Sequence, residues 1–519
     1  MLVTGDLRFC LESRLRPRPV QVEWVVTLIG HLAPYDTIFF AFMPLTPQPA
    51  QSAPHASTTH PAPDSQWRNI VHSPGWMVLL GFVVRVLYIL LAHSYRFRTT
   101  DANFSFGWEI GRIAYSLANG HGFSSPFGGD TGPSAWTAPV YPWIVSLAFR
   151  AFGSYSHAAS FALLTFNSLC AALTCWPIYR TARRIFGETV ALWSGWIWAL
   201  LPYIIYWSVR QVWETSLTAL LFSLAFMLTV EMDCDGRITS WIGFGVLWGV
   251  IGLTNPSCLS FLPFAGCWLA YQLYRRGKPF LLPAIVGAVL FWMTMMPWLV
   301  RNYEVFHKPV FVRDNVGVEI RCGNNPLAEG IWVGMYHPSQ NPILYREYQE
   351  MGEAAYSAEQ SRLAKQWIAE NPKQFAIVTF RKFVFYWNGL PRLSNTAEWM
   401  QRHPERWASR MFWPVIFDRN GTPRSAVLQA LEQARTSLFL ATSLLAFSGL
   451  AIAIRNRVHG VFLFASLLIF YPLVYYVSFP QPRYRHPIEP MLTMLAVYLF
   501  TQVSPRHSKP KGTQPLHAD

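Results

Sequence analysis

The sequence predicts an all-α polytopic membrane protein with about ten transmembrane helices and a mixed α/β domain outside the membrane. Three observations predict it. The 519-residue chain is 52% hydrophobic, 16% aromatic and only 13% charged, against roughly 25% charged for a soluble domain. Apolar windows of about 18–22 residues, the length that crosses the hydrocarbon core, recur from Trp76 onward. The short basic loops between those windows all fall on one side once each window is counted as a span.

The spans are read at 75–93, 158–180, 188–206, 213–232, 239–255, 257–274, 280–299, 436–454, 459–478 and 487–503. Arg180–Arg184, Arg275–Lys278, Arg455–Arg457 and the basic tail share one face, which the positive-inside rule makes cytoplasmic, with both termini inside. Met232–Arg237 lies on that face too but is acidic, a small dissent. The opposite face receives Ser94–His157, Ser208–Glu214, a large domain from Arg301 to about Arg435, and Phe479–Pro490. Accordingly, residues 1–66 form an N-terminal extension and 67–300 a transmembrane module with its first outer loop at 94–157. Residues 301–435 form the extracytoplasmic domain, 436–503 the C-terminal spans and 504–519 a cytoplasmic tail. The expected location is the inner (plasma) membrane.

The Pro/Ala/Ser/His-rich stretch Gln48–Ser65 marks the extension as disordered. Such a segment also fits a mis-assigned start codon, although Met77 is too late to be the true start. In the first outer loop, Ile110–Gly120 reads as a short amphipathic helix ended by glycine. Pro139–Gly153 is apolar but too short to span and reads as an interfacial helix. In the large outer domain Lys308–Pro326 suggests short strands and turns, and Asn341–Pro372 one or two polar helices. Phe375–Gly389 carries Arg381 and Lys382 in its middle, which favours a helix lying in the interface over a span.

The net charge of +14 sits in clusters between apolar runs, so it reads as an orientation signal and not as a nucleic-acid surface. The seven cysteines form no CxxC pair and no metal-ligand spacing. No cofactor is expected, and the question of a divalent metal stays open.

Four fragments occur in order: Gly120–Pro126 (GHGFSSP), Ala138–Gly153, Pro297–Phe306 followed by Gly323–Pro326 (GNNP), and Pro482–Pro490 (PRYRHPIEP). In combination they resemble bacterial glycosyltransferases of the GT-C superfamily. The nearest group is glycosyltransferase family 39, related to dolichyl-phosphate-mannose protein mannosyltransferases and lipid A aminoarabinose transferases. The resemblance implies transfer of a sugar from a polyprenyl-phosphate carrier at the outer membrane face. The partners would be that donor, a lipid, glycan or protein acceptor, and membrane lipids. It also implies a carboxylate in the first outer loop, upstream of an Ala-x-x-Leu-x-x-Gly-x-Gly-Phe segment, here Ala114, Leu117, Gly120, Gly122 and Phe123. The family spacing lands on Phe106 and Gly107, so the acid would have to be Glu109 or Asp101.

Such a transfer needs a base for the acceptor hydroxyl and cations for the departing phosphate. Glu109 is the first choice, since apolar neighbours would raise its pKa into a base's working range. A helix N-terminal acid, or a partner of Arg112, is the structural alternative. Asp101 is the second choice, with a loop or N-cap acid as its alternative. Arg483, Arg485 and Arg210 are candidates for the donor phosphate, because arginine gives bidentate contacts to phosphate oxygens. Arg210 and Glu214, at i and i+4, suggest an ion pair beside the site. Arg301 and Asn302 are placed to line the same region, and Trp136 and Tyr141 to stack on a sugar ring or prenyl chain.

Other function classes remain in view: a transporter or flippase for a lipid-linked sugar, a surface-polysaccharide polymerase or ligase, and a scaffold. A transporter predicts ionisable groups near mid-bilayer, and the spans are read as almost free of them.

Overall fold

A computed structural model describes residues 71–101, 104–234, 236–389 and 426–503 (side chains of 426–436 excepted), all within one compact unit, Pro63–Asp519. The expected extension at 1–66, the tail at 504–519 and part of the outer domain lie outside the described residues. The membrane-type helices of the N-terminal part are α1 (Pro74–Leu91), α4 (His157–Leu173), α5 (Cys175–Phe186), α6 (Glu188–Leu200), α7 (Pro202–Arg210), α8 (Thr215–Glu231), α9 (Ile238–Thr254), α10 (Leu262–Arg275) and α11 (Leu281–Phe306). Between α1 and α4 the first outer loop carries α2 (Glu109–Ala118) and α3 (Val140–Phe152). Then come α12 (Val316–Gly323), α13 (Pro342–Met351), α14 (Glu353–Glu370) and α15 (Pro372–Asn388). The C-terminal part holds α16 (Ala426–Arg455), α17 (Val461–Phe470), α18 (Leu473–Val477), the short α19 (Pro482–Arg485) and α20 (Glu489–Val503).

By length and composition five of these segments can cross a membrane: Pro74–Leu91, His157–Phe186, Thr215–Cys234, Leu281–Phe306 and Ser437–Arg455. The pair α6 and α7 passes only jointly, bent by 46°. The remaining expected spans resolve as shorter apolar helices such as Ile238–Thr254 and Val461–Val477. The helix read at Ile110–Gly120 is α2, and that at Pro139–Gly153 is α3.

The bend explains a residue passed over in the sequence. Arg85 lies in the middle of α1 and is fully buried, so the spans are not free of charge as expected. Leu201 leaves the helical conformation with ψ 119°, and Pro202 has no N–H to offer the carbonyl four residues back. Arg85 supplies the missing donors. Its Nη1 donates to Ala199 O (2.7 Å) and Gly81 O (2.8 Å), and its Nη2 to Trp198 O (3.2 Å). A cation at this depth is tolerated because backbone oxygens absorb it, the Trp198 and Ala199 carbonyls at the break of the helix pair among them.

The loops fall into two groups. At one end Asp233, from the acidic stretch that dissented, accepts from Arg184 (2.5 Å) and Arg276 (3.2 Å) and contacts His459 (2.7 Å). Three basic loops are thereby drawn around one carboxylate, which accounts for an acid among them. The loops of the other group meet around Glu109.

The outer domain differs from its expected mixed character: no strand forms among the described residues of 301–389. Val316, Val318, Ile320 and Cys322 alternate as a strand would, yet the fully buried pair is Val318 and Cys322 while Val316 is 57% exposed. That four-residue spacing is helical. Gly317 lets α12 press onto α14, since a Cβ there would lie 2.0 Å from Ser357 O. The interfacial helix expected at Phe375–Gly389 is α15, but Lys382 is fully buried within it instead of turning to water.

Candidate active site

Glu109 is the first residue of α2. It is placed there by an unusual backbone: Gly107 (φ 79°) and Trp108 (φ 49°) both lie in the left-handed region. Gly107 is required at its position, because a Cβ would meet Val212 O at 2.6 Å, where Val212 N–H donates to Ser105 O (2.8 Å). Strain of this kind at a non-glycine residue is uncommon and concentrates at functional sites. The pairing also carries Trp213 and Glu214 to the same place as Glu109.

Only 16% of the Glu109 side chain is exposed. Burial pushes its carboxyl up to about 7, against the pull of its own backbone N–H; Glu319 adds to the rise, while Arg483 and Arg112 oppose it. It thus has the helix-start position of the structural alternative together with the environment of a general base. His337 Nε2 lies 3.9 Å from Glu109 Oε1. Burial holds this imidazole neutral, near 3. Ser339 N–H donates to its Nδ1 (3.2 Å), so the ring proton rests on Nε2 and faces the carboxylate.

Arg483 comes from α19. Its guanidinium lies 3.7 Å over the Trp213 ring and 5.0 Å from the Tyr484 ring centre, and Nη2 donates to Tyr484 Oη (3.3 Å). Nε and Nη1 are buried without a hydrogen-bond partner among the described residues, and so is Glu214 Oε2. Unmade hydrogen bonds on the buried nitrogens of a cation are costly and mark a place for a ligand acceptor. The charges acting on Arg483 include Glu214 and Glu109. Glu319, on α12, accepts from Asn315 Nδ2 (2.7 Å); burial raises its pKa, with Arg313 and Arg483 opposing. Three carboxylates, three arginines, a neutral histidine and two aromatic rings therefore converge from four separate chain segments.

The other expected residues are placed differently. Asp101 is exposed in a turn and exerts its charge on Tyr155, not on Glu109. Arg485, two residues from Arg483, is fully buried and bonded to Glu489 (2.5 Å), Ser443 Oγ (2.5 Å) and Phe439 O (3.0 Å), which leaves only its Nη2 without a partner among the described residues, so most of its donors are already spent. Arg210 is exposed and makes no ion pair with Glu214 among the described residues. Gln211 is extended (φ −145°, ψ 139°), which ends α7 and destroys the i,i+4 register. Trp136 is 2% exposed and packs edge-on against Phe127, Tyr348 and the back of His337. Tyr141 is 1% exposed and donates to Asn167 Oδ1 (2.8 Å). Both are core aromatics without a face free for stacking. Arg301 clasps the first outer loop through Ser134 O (2.7 Å) and Phe123 O (2.9 Å), and Asn302 is buried against Val310 O (3.3 Å).

Sequence reasoning missed His337, Glu319 and Arg313, which come from the outer domain without any motif to flag them. Trp213 and Tyr484 were within reach, lying inside SVRQVWE and PRYRHP. Among the described residues no group of three His, Cys, Asp or Glu is arranged to hold a metal ion.

Comparisons with known proteins add a frame. The chain is similar to the solved oligosaccharyltransferase of Archaeoglobus fulgidus in its apo form, at 15% identity and a TM-score of 0.44 over 83% of this chain and 50% of that one. The same archaeal enzyme, AglB, in complex with an inhibitory peptide and a dolichol-phosphate aligns at 13% identity and 0.43, with the same coverage. ArnT from Cupriavidus metallidurans bound to undecaprenyl phosphate gives 15% identity and 0.33 over 83% of this chain and 78% of that one. The chain spans about half the length of the oligosaccharyltransferase. No curated protein matches. Residues 136–300, about a third of the chain, running from the end of the first outer loop through most of α11, match the family described as dolichyl-phosphate-mannose-protein mannosyltransferase; of the motif fragments only Ala138–Gly153 and the start of Pro297–Phe306 lie within it.

Proposed function

We propose that this protein is a membrane glycosyltransferase that moves a sugar from a polyprenyl-phosphate carrier to an acceptor hydroxyl on the extracytoplasmic face. Glu109 takes the hydroxyl proton, the acceptor oxygen bonds to the anomeric carbon, and the sugar–phosphate bond breaks. The phosphate leaves with its electron pair onto Arg483. No acid is needed for the leaving group, since the polyprenyl phosphate monoester departs unprotonated, with the bond's electron pair on its oxygen. One observation carries this reading: a half-buried arginine with two buried, unpartnered nitrogens over an aromatic ring, beside a carboxylate held near 7.

Neutral His337 and the Glu319 carboxylate complete the surroundings of the base. Asp101, Arg210 and Arg485 are set aside for the chemistry. Trp136, Tyr141, Arg301 and Asn302 support the loop that bears Glu109. Orientation with both termini cytoplasmic is favoured by the gathering of the basic loops around Asp233, since positive charge between spans is retained inside. The acceptor is a lipid, glycan or protein hydroxyl. A transporter reading gains nothing from Arg85, whose guanidinium is taken up by the carbonyls of the broken helix.

The test is transfer itself. Membranes containing the protein, offered a panel of radiolabelled polyprenyl-phosphate sugars, should move label from the organic-soluble donor into an acceptor fraction. Label that crosses the membrane still attached to its carrier would replace this reading with a flippase.

A further inference from the structure

A fully buried lysine is rare because desolvating an ammonium is costly unless its hydrogen bonds are met. Lys382 on α15 is such a residue, and its partners are neutral. Nζ donates to Asn324 Oδ1 (2.8 Å) and to Val477 O (3.1 Å). Asn324, from the GNNP motif, donates through Nδ2 to Ile320 O (2.8 Å) and to the same Val477 O (2.8 Å). Beside them Gly323 comes so close to the turn after α18 that a Cβ would lie 1.8 Å from Ser478 O. Three elements are therefore locked at one point: α15, the C-terminus of α12, and the start of the last outer loop. That loop delivers Arg483, while α12 delivers Glu319, one helical turn before Gly323. An apolar residue at 382 would fill the space but leave Asn324 Oδ1 without its donor, so simple core packing does not explain a lysine here.

We infer that Lys382 is a positioning residue, whose bonds to Asn324 and Val477 fix the last outer loop against α12 and so hold Arg483 in place for a phosphate. This rests on the donor reading given above, since it assigns Arg483 a phosphate. Lys382 itself touches neither Glu109 nor Arg483 through any hydrogen bond found, which separates its role from theirs.

Two variants of the full-length protein in detergent, Lys382→Met and Asn324→Leu, test the lock from both sides, with Lys382→Arg as the conservative rescue. Hydrogen exchange across 478–486 should accelerate by about tenfold or more in the first two, the equivalent of one lost bond of ordinary strength. Exchange across 215–231 should stay unchanged, and Lys382→Arg should recover part of the protection. Affinity for a polyprenyl phosphate without sugar should fall by about tenfold in parallel. Unchanged exchange in 478–486, a rise spread over the whole chain, or unaltered affinity in a protein whose wild type binds the lipid would each overturn the inference. Should the wild type bind no polyprenyl phosphate, the donor reading fails, and the exchange result alone then decides the lock: a localised rise upholds it and an unchanged segment removes it.

Discussion

The pH dependence of transfer should report the ionisation of Glu109. The carboxyl is pushed up to about 7 by burial, and a base works only when ionised. The ionised fraction is then about one-tenth at pH 6 and about nine-tenths at pH 8, so kcat/KM should climb about tenfold across that interval and level off above it. The neighbours set where the rise falls. Glu319 is the like charge that adds to the upward push, so Glu319→Gln should move the midpoint to lower pH. Arg483 opposes the push, so neutralising it should move the midpoint upward as well as weakening the donor. Initial rates with labelled donor at subsaturating concentration, across pH 5.5 to 9 in buffers of constant ionic strength, give the curve. A flat profile, or a rise whose midpoint ignores Glu319→Gln, would refute the assignment of Glu109 as the titrating base.

Further outcomes follow from the same contacts. Arg483→Lys keeps the charge but loses the two-pronged contact, worth about 1.5–3 kcal/mol; the donor KM should rise about 10–150-fold with the acceptor KM unchanged, as donor titrations would show. Glu353 accepts from Ser134 Oγ (2.6 Å), Ala135 N–H (2.5 Å) and Tyr348 Oη (2.8 Å), yet burial raises its carboxyl to about 7. Its folded-state pKa is above the unfolded one, so the stability it brings is complete below the ordinary carboxyl range and is lost as pH rises through about 7, by up to about 3 kcal/mol. Thermal midpoints in detergent should accordingly fall between pH 5 and 8, and less steeply in Glu353→Gln. Arg85→Met leaves the Trp198 and Ala199 carbonyls without donors at about 1–3 kcal/mol each; its thermal midpoint should drop well below that of Arg483→Lys, and an unchanged midpoint would show that Arg85 does not hold the bend.

Five of the expected spans, and a sixth as the bent pair α6 and α7, were legible because crossing a bilayer imposes length and composition that no other constraint imitates. What failed was finer. Alternation at Val316–Cys322 imitates a strand, and only its packing on α14 through Gly317 selects the helix. Arg483 and Arg485 are chemically identical and two residues apart; on one turn of helix such residues point about 200° from each other. One therefore meets Glu109 while the other enters the core against Glu489, and nothing local says which. Trp136 and Tyr141 carry the composition of a sugar platform, but their ring faces are spent on the core. Glu109 was accessible because its apolar neighbours and its outer position are both local properties. His337 and Glu319 were not, since their relation to Glu109 exists only after the outer domain has docked. Arg85 was misjudged for a related reason: the carbonyls that need it are created by Pro202, more than a hundred residues later.

The central claim is that the Glu109 carboxylate removes the acceptor proton. Its most direct measurement compares transfer by Glu109→Gln and Asp101→Asn in membranes of equal protein content, with binding of a polyprenyl phosphate as a control for an intact site. Glu109→Gln should bind the lipid normally and lose about 10²–10⁴-fold in rate, while Asp101→Asn stays close to wild type. Full activity in Glu109→Gln, or a loss of that size in Asp101→Asn alone, would contradict it.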